Sequence, residues 1–563
     1  MRLGLPKSVL CLRHYSAQTF FSDLIAGLTV GLVALPLAMA FAISSGVPPQ
    51  AGLYCAIITG FLISALGGSK NQIGGPTGAF VVVVYGIVAQ HGVDGLFHCT
   101  MMAGAILVLL GLTGLGAAVK FIPRPVIIGF TNGIAILIAS TQIKDFFGLQ
   151  IDKVPGEFAA RLATLLRHWQ TASLPSTLLA LSAMLVIVLT SQFLKRVPGS
   201  ILALVLGTAI VGTLHLPVET IGSRFGGIPS GLPTFEMPAF HTDMILPLLS
   251  PALTVAMLGA IESLMSAVVA DRMSGDRHHP NVELVAQGVA NIVSPLFGGL
   301  PATGAIARTA TNIRSRGKTP VAGMVHALTL LAIVCFAAPL AHFIPLAVLA
   351  AILMVVAYNM GEWKEIPKLL KMTWADISVW LVTLLLTVFA DLTLAVEVGM
   401  VLAALLYIRR VAKTTTVTKV TKEDVEEGRP HSLQDKHIPD YVTVIRIHGP
   451  FLFGATEKVA RITDHLEELT PIIILRLRNM TAIDATGLLT LEELADKLHA
   501  AGRTLILCGA RPQPAKLMRR ARFARHIGRD NICPNIAAAL QRAREVVVAC
   551  RVADRLPLTV EMQ

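Results

Sequence analysis

The chain has 563 residues, of which 54% are hydrophobic and only 15% are charged, and its formal net charge is +12. A soluble protein usually has about a quarter charged residues, so this composition excludes a soluble globular enzyme and requires lipid as solvent. The basic residues stand in short loops between apolar runs and not on one face, so we expect no nucleic-acid partner.

Apolar runs recur between residues 24 and 408, and many are long enough to cross about 30 Å of hydrocarbon. We predict about fourteen membrane helices from them. They lie at 24–44, 51–66, 76–90, 100–118, 125–143, 173–194, 199–214, 245–270, 282–297, 302–312, 319–341, 345–358, 377–391 and 392–408. The runs at 76–90 and 302–312 are too short to cross the membrane alone.

The charges of the loops predict the orientation of the helices. With the N-terminus inside and fourteen crossings, the basic loops 314–318, 364–371 and 409–413 fall in the cytoplasm. The loop 144–172 is an exception, because it is an outer loop with four cations. The pattern predicts a multi-pass protein of the bacterial inner membrane with both termini cytoplasmic.

An internal repeat divides the membrane part into two halves. The stretch Gly75–Ala79 is echoed by Pro301–Ala305, and Phe121–Pro123 is echoed by Phe343–Pro345, at offsets of about 226 and 222 residues. Each half then has seven helices, and an odd number places the second half upside down. Inverted repeats with Gly- and Pro-interrupted segments at matching positions indicate a transporter's binding site.

The two interrupted segments are Gly74–Gly78 and Gly298–Gly304. A helix does not run easily through such stretches, so we interpret each as extended chain followed by a half-helix that begins near the midplane. Each free N-terminus would carry a partial charge of about +0.5, and two that face each other make an anion site without metal or cofactor. The alternative is that Gly and Pro merely kink ordinary spanning helices.

Arg308 is predicted one to two turns into the second half-helix, where a cation would strengthen the attraction for an anion. The alternative is that this side chain snorkels to the cytoplasmic boundary with Arg314 and Arg316.

Glu262 is a lone carboxylate in the middle of an apolar run, with Ser263 and Ser266 close by. An ionised, unpaired carboxylate in hydrocarbon costs about 2.5–3.5 kcal/mol, so the group should be protonated or paired. This suits a proton carrier, or a sodium ligand together with Ser266. A structural salt bridge with Arg308 is the alternative.

The composition changes after Lys413. Residues 414–439 predict a polar linker, and 440–553 alternate strand and helix patterns typical of an α/β domain. The predicted strands are Val442–Ile447, Ile472–Leu477 and Thr504–Cys508. We expect a cytoplasmic segment 1–20, a transmembrane transport domain 21–413, the linker, this domain and a tail 554–563. No nucleotide-binding motif and no CxxC pair occurs, so we expect neither ATP-driven transport nor a bound cofactor or metal.

Several stretches together resemble the sulfate permease (SulP) family, the bacterial relatives of solute carrier family 26. They are Leu35–Ala42, Val47–Tyr54, Gly74–Thr77 and Ala305–Thr309. Ile483–Gly487 resembles the turn of the STAS domain that follows this family's membrane part.

The resemblance implies core and gate domains, elevator-like movement, a homodimer and a site between the third and tenth helices. It implies substrate-binding residues Phe41, Thr77, Gly78, Ala302, Thr303, Gly304, Ala307 and Arg308, with Glu262 and Ser266 for the coupling ion. Thr486 falls where related domains are phosphorylated, although it could simply be a helix N-cap.

Two departures bear on the substrate. Leu37 stands where many members have Gln, and Glu262 and Ser266 stand where some sodium-coupled members have Asp and Thr. The segment Thr141–Phe147 looks closer to the proton-coupled branch that includes dicarboxylate carriers.

The expected function is secondary active transport of a small anion such as sulfate, bicarbonate or a C4-dicarboxylate (fumarate or succinate), by proton symport. The alternatives are a sodium-coupled symporter, an anion exchanger or channel, a nucleobase carrier, or a membrane-tethered signalling protein.

Overall fold

The computed structural model describes residues 4–13, 15–114, 123–151, 154–193, 198–238, 242–390, 392–420, 438–459 and 469–552. The chain divides into two compact units, Met1–Ala403 and Ala404–Gln563. Three predictions lie wholly or mostly outside the described residues: the Phe121–Ile122 part of the repeat, much of the linker 414–439, and the tail 554–563.

The described chain is helical up to residue 414. Its α-helices are α1 (Lys7–Leu12), α2 (Ala17–Ser44), α3 (Pro49–Leu66), α4 (Gly78–Thr113), α5 (Arg124–Phe147), α6 (Phe158–Arg167), α7 (Leu174–Phe193), α8 (Gly199–Leu214), α9 (Ile221–Phe225), α10 (Ile245–Ser274), α11 (Pro280–Val293), α12 (Ile306–Arg314), α13 (Val321–Ala337), α14 (Leu346–Met360), α15 (Ile366–Leu369), α16 (Trp374–Phe389) and α17 (Leu392–Thr414).

The predicted helical membrane domain is confirmed, because helical segments occupy the places of all fourteen predicted runs. The third and fourth runs are joined in α4, which is kinked at Gly92, where φ is 69°. In the described residues, eight helices are long and apolar enough to cross a membrane.

The helices of the membrane unit pack in two groups. In the first group, α2, α3, α4, α10, α11, α12 and α13 pack on one another, and in the second α5, α7, α8, α14 and α16 do so. These groups correspond to the core and gate domains that the resemblance implied. The arrangement matters for function because a binding site can form between them.

Close backbone contact holds the first group together at α4 and α11. A Cβ atom at Gly104 would lie 2.7 Å from the Gly288 carbonyl oxygen, and one at Gly288 would lie 2.6 Å from that of Gly104. In lipid the helices gain little from the hydrophobic effect, so such close van der Waals packing supplies the association energy.

The interrupted segments of the two repeats meet as a pair of short strands. Strand β1 (Gly74–Gly75) pairs antiparallel with β2 (Thr303–Gly304). Extended chain therefore precedes α4 and α12, and the alternative of kinked but continuous helices is wrong. The pairing brings the interrupted segments of the two halves into direct contact.

The C-terminal unit contains a five-stranded sheet in the order β3 (Thr416–Val420), β4 (Val442–Phe451), β5 (Ile472–Ile483), β6 (Thr504–Cys508) and β7 (Ile532–Cys533). Strand β3 is antiparallel to β4, and the other pairs are parallel. The longer helices are Ala485–Ala500, Pro512–Arg520 and Ile536–Val552. Apolar side chains form a core on each face of the sheet.

The predicted α/β domain is thus confirmed, but its start needs correction. Strand β3 lies inside the stretch 414–439 that we predicted to be a linker, and it pairs with β4 over five positions. The hydrophobic alternation in this short edge strand, which is rich in Thr and Lys, is too weak to predict a strand from the sequence. The strand is recognised only from its pairing with β4.

Asp484 organises the turn at the start of helix Ala485–Ala500. Its two carboxylate oxygens accept hydrogen bonds from the backbone N–H groups of Gly487 at 2.7 Å and Phe453 at 3.1 Å. This residue, and not Thr486, is the N-cap, so the N-cap interpretation of Thr486 is wrong.

We expect Asp484→Ala to destabilise the C-terminal unit by about 1–2 kcal/mol, because two backbone donors lose their acceptor. Urea unfolding of a fragment that begins at Thr415 measures this, since the unit has its own apolar cores. Thr486→Ala, a change at an exposed neighbour, is the matched control and should cost less than about 0.5 kcal/mol. Equal losses in the two variants would contradict the capping role.

Candidate functional site

A cavity of about 390 Å³ lies between the two helix groups of the membrane unit. Seven of the predicted site residues line it: Phe41, Thr77, Gly78, Glu262, Gly304, Ala307 and Arg308. The residues come from α2, α10 and both half-helices, so one concave surface collects side chains that are far apart in the sequence.

Both half-helices begin on the wall of this cavity. Helix α4 begins at Gly78 directly after Thr77, and α12 begins at Ile306 directly after Ala305. The first turn of a helix has backbone N–H groups without intrahelical acceptors and carries a partial positive charge. Two such termini on one cavity make it a site for negative charge.

Arg308 is the third residue of α12, in its first turn and not one to two turns further along as predicted. Its side chain is only 2% exposed, and Nη2 donates a hydrogen bond to the Pro76 carbonyl oxygen at 3.2 Å. The snorkelling interpretation is therefore wrong. Within the described part of the chain Nη1 has no hydrogen-bond partner.

This position of Arg308 is electrostatically unfavourable without a counterion. A cation in the first turn of a helix is repelled by the positive end of the dipole, and burial removes its hydration. Because Arg308 lines the cavity, a bound anion would relieve both costs.

Gly75 provides the space for the Arg308 guanidinium. Its φ is 152°, and a Cβ atom there would lie 2.1 Å from Nη1. Alanine at this position would therefore move the cation as well as strain the backbone.

We expect Gly75→Ala to weaken anion binding at least ~10-fold, because a displaced guanidinium loses most of a charge-assisted contact. Initial uptake rates as a function of anion concentration in proteoliposomes measure the effect. Gly86→Ala on the same half of the protein is the control, since a Cβ atom there meets nothing within 4 Å. Unchanged affinity in Gly75→Ala would show that the position of Arg308 does not matter.

Glu262 lies on α10 and faces the cavity. Its Oε2 accepts a hydrogen bond from the Thr77 hydroxyl at 2.8 Å, which joins α10 to the start of the first half-helix. No ion pair with Arg308 occurs among the described residues, so the salt-bridge alternative is wrong. The carboxyl group therefore stands beside the site with one neutral partner.

Three predicted residues support the site without lining the cavity. The Ser266 hydroxyl donates to Thr309 Oγ1 at 3.1 Å, and the Thr303 hydroxyl donates to the Gly259 carbonyl oxygen at 2.9 Å. The backbone N–H of Ala302 donates to Asn291 Oδ1 at 2.8 Å. These bonds fasten β2 and α12 to α10 and α11.

The second helix group supplies residues that sequence reasoning missed. Phe130, Thr131, Asn359, Met360 and Glu362 line the cavity from α5 and from the end of α14. None belongs to the repeat motif, and the chain has many similar residues, so no local signal distinguishes them. Leu37, noted above as a departure, also lines the cavity.

Thr486 lies in the C-terminal unit and is exposed at the second residue of its helix. Its carbonyl oxygen accepts from the Thr490 hydroxyl at 3.0 Å. Because Thr486 is exposed, a modifying enzyme could reach its hydroxyl group, as the predicted regulatory role requires.

The chain is similar to known proteins over most of its length. Residues 20–383 match the sulfate permease family, and residues 433–539 match the STAS domain. YvdB of Bacillus subtilis, assigned provisionally to sulfate transport, is 40% identical over 92% of this chain and 97% of its own length. The bicarbonate transporter BicA of Synechocystis sp. is 32% identical over 92% of this chain and 94% of its own.

Two solved structures are similar to this one. The transmembrane domain of a cyanobacterial BicA superposes with a TM-score of 0.61 at 35% identity, over 69% of this chain and 98% of its own. Murine solute carrier 26 family member A9, an anion transporter, superposes with a TM-score of 0.85 at 19% identity, over 96% and 94%. The second likeness concerns the fold alone.

Proposed function

Since the chain belongs to the sulfate permease family, we propose that this multi-pass membrane anion transporter takes up a small anion together with a proton. The observation that carries the proposal is the cavity on which two half-helix N-termini and the buried Arg308 converge. Such a surface stabilises an anion without metal or cofactor.

Glu262 is the proposed proton carrier. An anion beside an ionised carboxylate is repelled, so anion and proton favour each other's binding, and the coupling is reciprocal. A sodium site built from Glu262 and Ser266 is less well supported, because the Ser266 hydroxyl is bonded to Thr309 and does not line the cavity.

The proposed substrates are sulfate, bicarbonate and C4-dicarboxylates such as fumarate. The cavity of about 390 Å³ can hold any of them, and its wall is mostly apolar with a few polar groups. The names of YvdB and BicA support sulfate and bicarbonate. Leu37 on the wall provides no hydrogen bond, so the proposed partners of the anion's oxygens are backbone N–H groups, Arg308 and the Asn359 amide.

We further propose that the first helix group moves against the second in an elevator-like cycle. Both half-helices and Glu262 belong to the first group, so anion and proton would travel together. A homodimer, cytoplasmic termini in a bacterial inner membrane and regulation through Thr486 complete the proposal.

Uptake by the purified full-length protein in proteoliposomes tests the function. The panel is radiolabelled sulfate, bicarbonate, fumarate, succinate and uracil, each under a pH gradient and under a sodium gradient. We expect accumulation of at least one anion driven by the pH gradient. Accumulation driven only by sodium, uptake without accumulation, or uptake of uracil alone would each overturn proton–anion symport.

A further inference from the structure

A second carboxyl group, that of Glu362, also lines the cavity. Glu362 follows the end of α14, which packs on α5, α7 and α8 in the second helix group. Glu262 lies on α10 in the first group. The proposed function makes no use of Glu362.

The Glu362 side chain has no hydrogen bond or ion pair with any residue that the structure describes. The neighbouring cation is engaged elsewhere, because Arg124 Nη2 donates to Glu365 Oε2 at 2.8 Å. Lys368 Nζ donates to the other oxygen of Glu365 at 2.7 Å. Glu362 is therefore free to bind and release a proton.

Few charged side chains line the cavity, so the net charge of its wall can be added up directly. Glu262, Arg308 and Glu362 are the charged side chains that line it. One positive and two negative groups leave a formal charge of −1 when both carboxyls are ionised, and the two half-helix termini add about +0.5 each. The wall is thus nearly neutral, and it gains one positive charge for each carboxyl that binds a proton.

Charges on a mostly apolar wall interact more strongly with a bound ion than charges in bulk water do, so such a cavity discriminates between ligands of different charge. With Glu262 protonated and Glu362 ionised, the net charge of the wall is about +1 and balances a monoanion. With both carboxyl groups protonated, the net charge is about +2 and balances a dianion. Of the charged groups near Glu362, Arg124 and Lys368 are each paired with Glu365, and Lys364 is exposed and does not line the cavity.

We propose that Glu362 is a proton-binding site that sets the charge of the anion accepted, monovalent when ionised and divalent when protonated. The proposal rests on the proposed function, since it presumes that this cavity binds the transported anion. It assigns the two carboxyl groups different tasks: Glu262 couples transport to the proton, and Glu362 selects by charge.

The test compares the binding of sulfate and nitrate by the full-length protein in nanodiscs at pH 8 and pH 5.5. These probes keep charges of −2 and −1 throughout that range. At pH 8 we expect Glu362→Gln to shift the sulfate-to-nitrate affinity ratio toward sulfate by about 10-fold relative to wild type. At pH 5.5 the difference should narrow, because a larger fraction of wild-type Glu362 is then protonated.

Glu157→Gln is the control, because Glu157 is an exposed carboxyl group outside the cavity lining, and its ratio should follow wild type. Glu362→Asp, which keeps the carboxyl group, should retain the pH dependence. A Glu362→Gln ratio equal to wild type at pH 8, or a difference that persists unchanged at pH 5.5, would overturn the proposal.

A second measurement does not depend on which anion is carried. A hydrophobic carbodiimide modifies protonated carboxyl groups, and peptide mass spectrometry gives the extent at each site. We expect Glu362 to be modified more than the ion-paired Glu365 as the pH is lowered. Equal modification of Glu362 and Glu365 at every pH would refute the proton site. If Glu362 is labelled as expected but no anion binds, only the proposed function is refuted.

Discussion

Arg308→Met is expected to lower anion affinity about 100-fold, or about 2.7 kcal/mol, while leaving the protein folded. The substitution removes the one cation that lines the cavity in the described residues. The protein should not lose stability, because an unpaired guanidinium in the first turn of α12 is itself costly and a methionine of similar length is not.

Anion-dependent uptake and thermal unfolding of the purified variant measure the two effects separately. Arg314→Met on the same helix is the control, since Arg314 is exposed and does not line the cavity. A variant with wild-type affinity, or one that loses affinity only because it unfolds, would remove Arg308 from the anion site.

Glu262→Gln is expected to abolish accumulation against a gradient while still permitting exchange of anion across the membrane. Glutamine resembles the protonated carboxyl group, so the anion can bind but no proton is taken up or released with it. At zero membrane potential, one proton per anion sustains about 10-fold accumulation for each unit of pH gradient, because one unit corresponds to about 1.36 kcal/mol. The variant should show none.

Proteoliposomes with an acidic exterior and clamped potential measure both activities, accumulation and counterflow. Thr77→Val is the companion variant, because it removes the hydroxyl that donates to Glu262 while keeping the side chain's shape. It should keep coupling and move the pH profile toward higher pH, since that donor stabilises the ionised carboxylate. Accumulation by Glu262→Gln at the wild-type level would exclude Glu262 as the proton carrier.

The local sequence pattern was enough to identify one wall of the site. Gly and Pro interrupt two matching segments, and a helix cannot continue through them, so half-helices follow from backbone sterics alone. The same reasoning placed Arg308 and Glu262 in the membrane, where charged groups are rare enough to indicate function.

The sequence alone left the roles of individual polar groups ambiguous. Ser266 is only four residues from Glu262, and a shared cation site was a fair expectation, yet the Ser266 hydroxyl donates to Thr309 on another helix. Spacing along one helix indicates which residues share a face. The hydrogen-bond partner of a residue on that face depends on which other helix packs against it.

What the sequence by itself determined is therefore the membrane location, the helices, the repeat, the half-helices and the C-terminal α/β domain. Each follows from hydropathy, periodicity or backbone conformation, which are properties of short stretches. Only the tertiary structure decided that Arg308 is buried against Pro76, that β1 pairs with β2, and that Glu362 faces the cavity. The first two contacts join residues about 230 positions apart within the first helix group. The third depends on how the second group packs against the first, and no local pattern records either kind of contact.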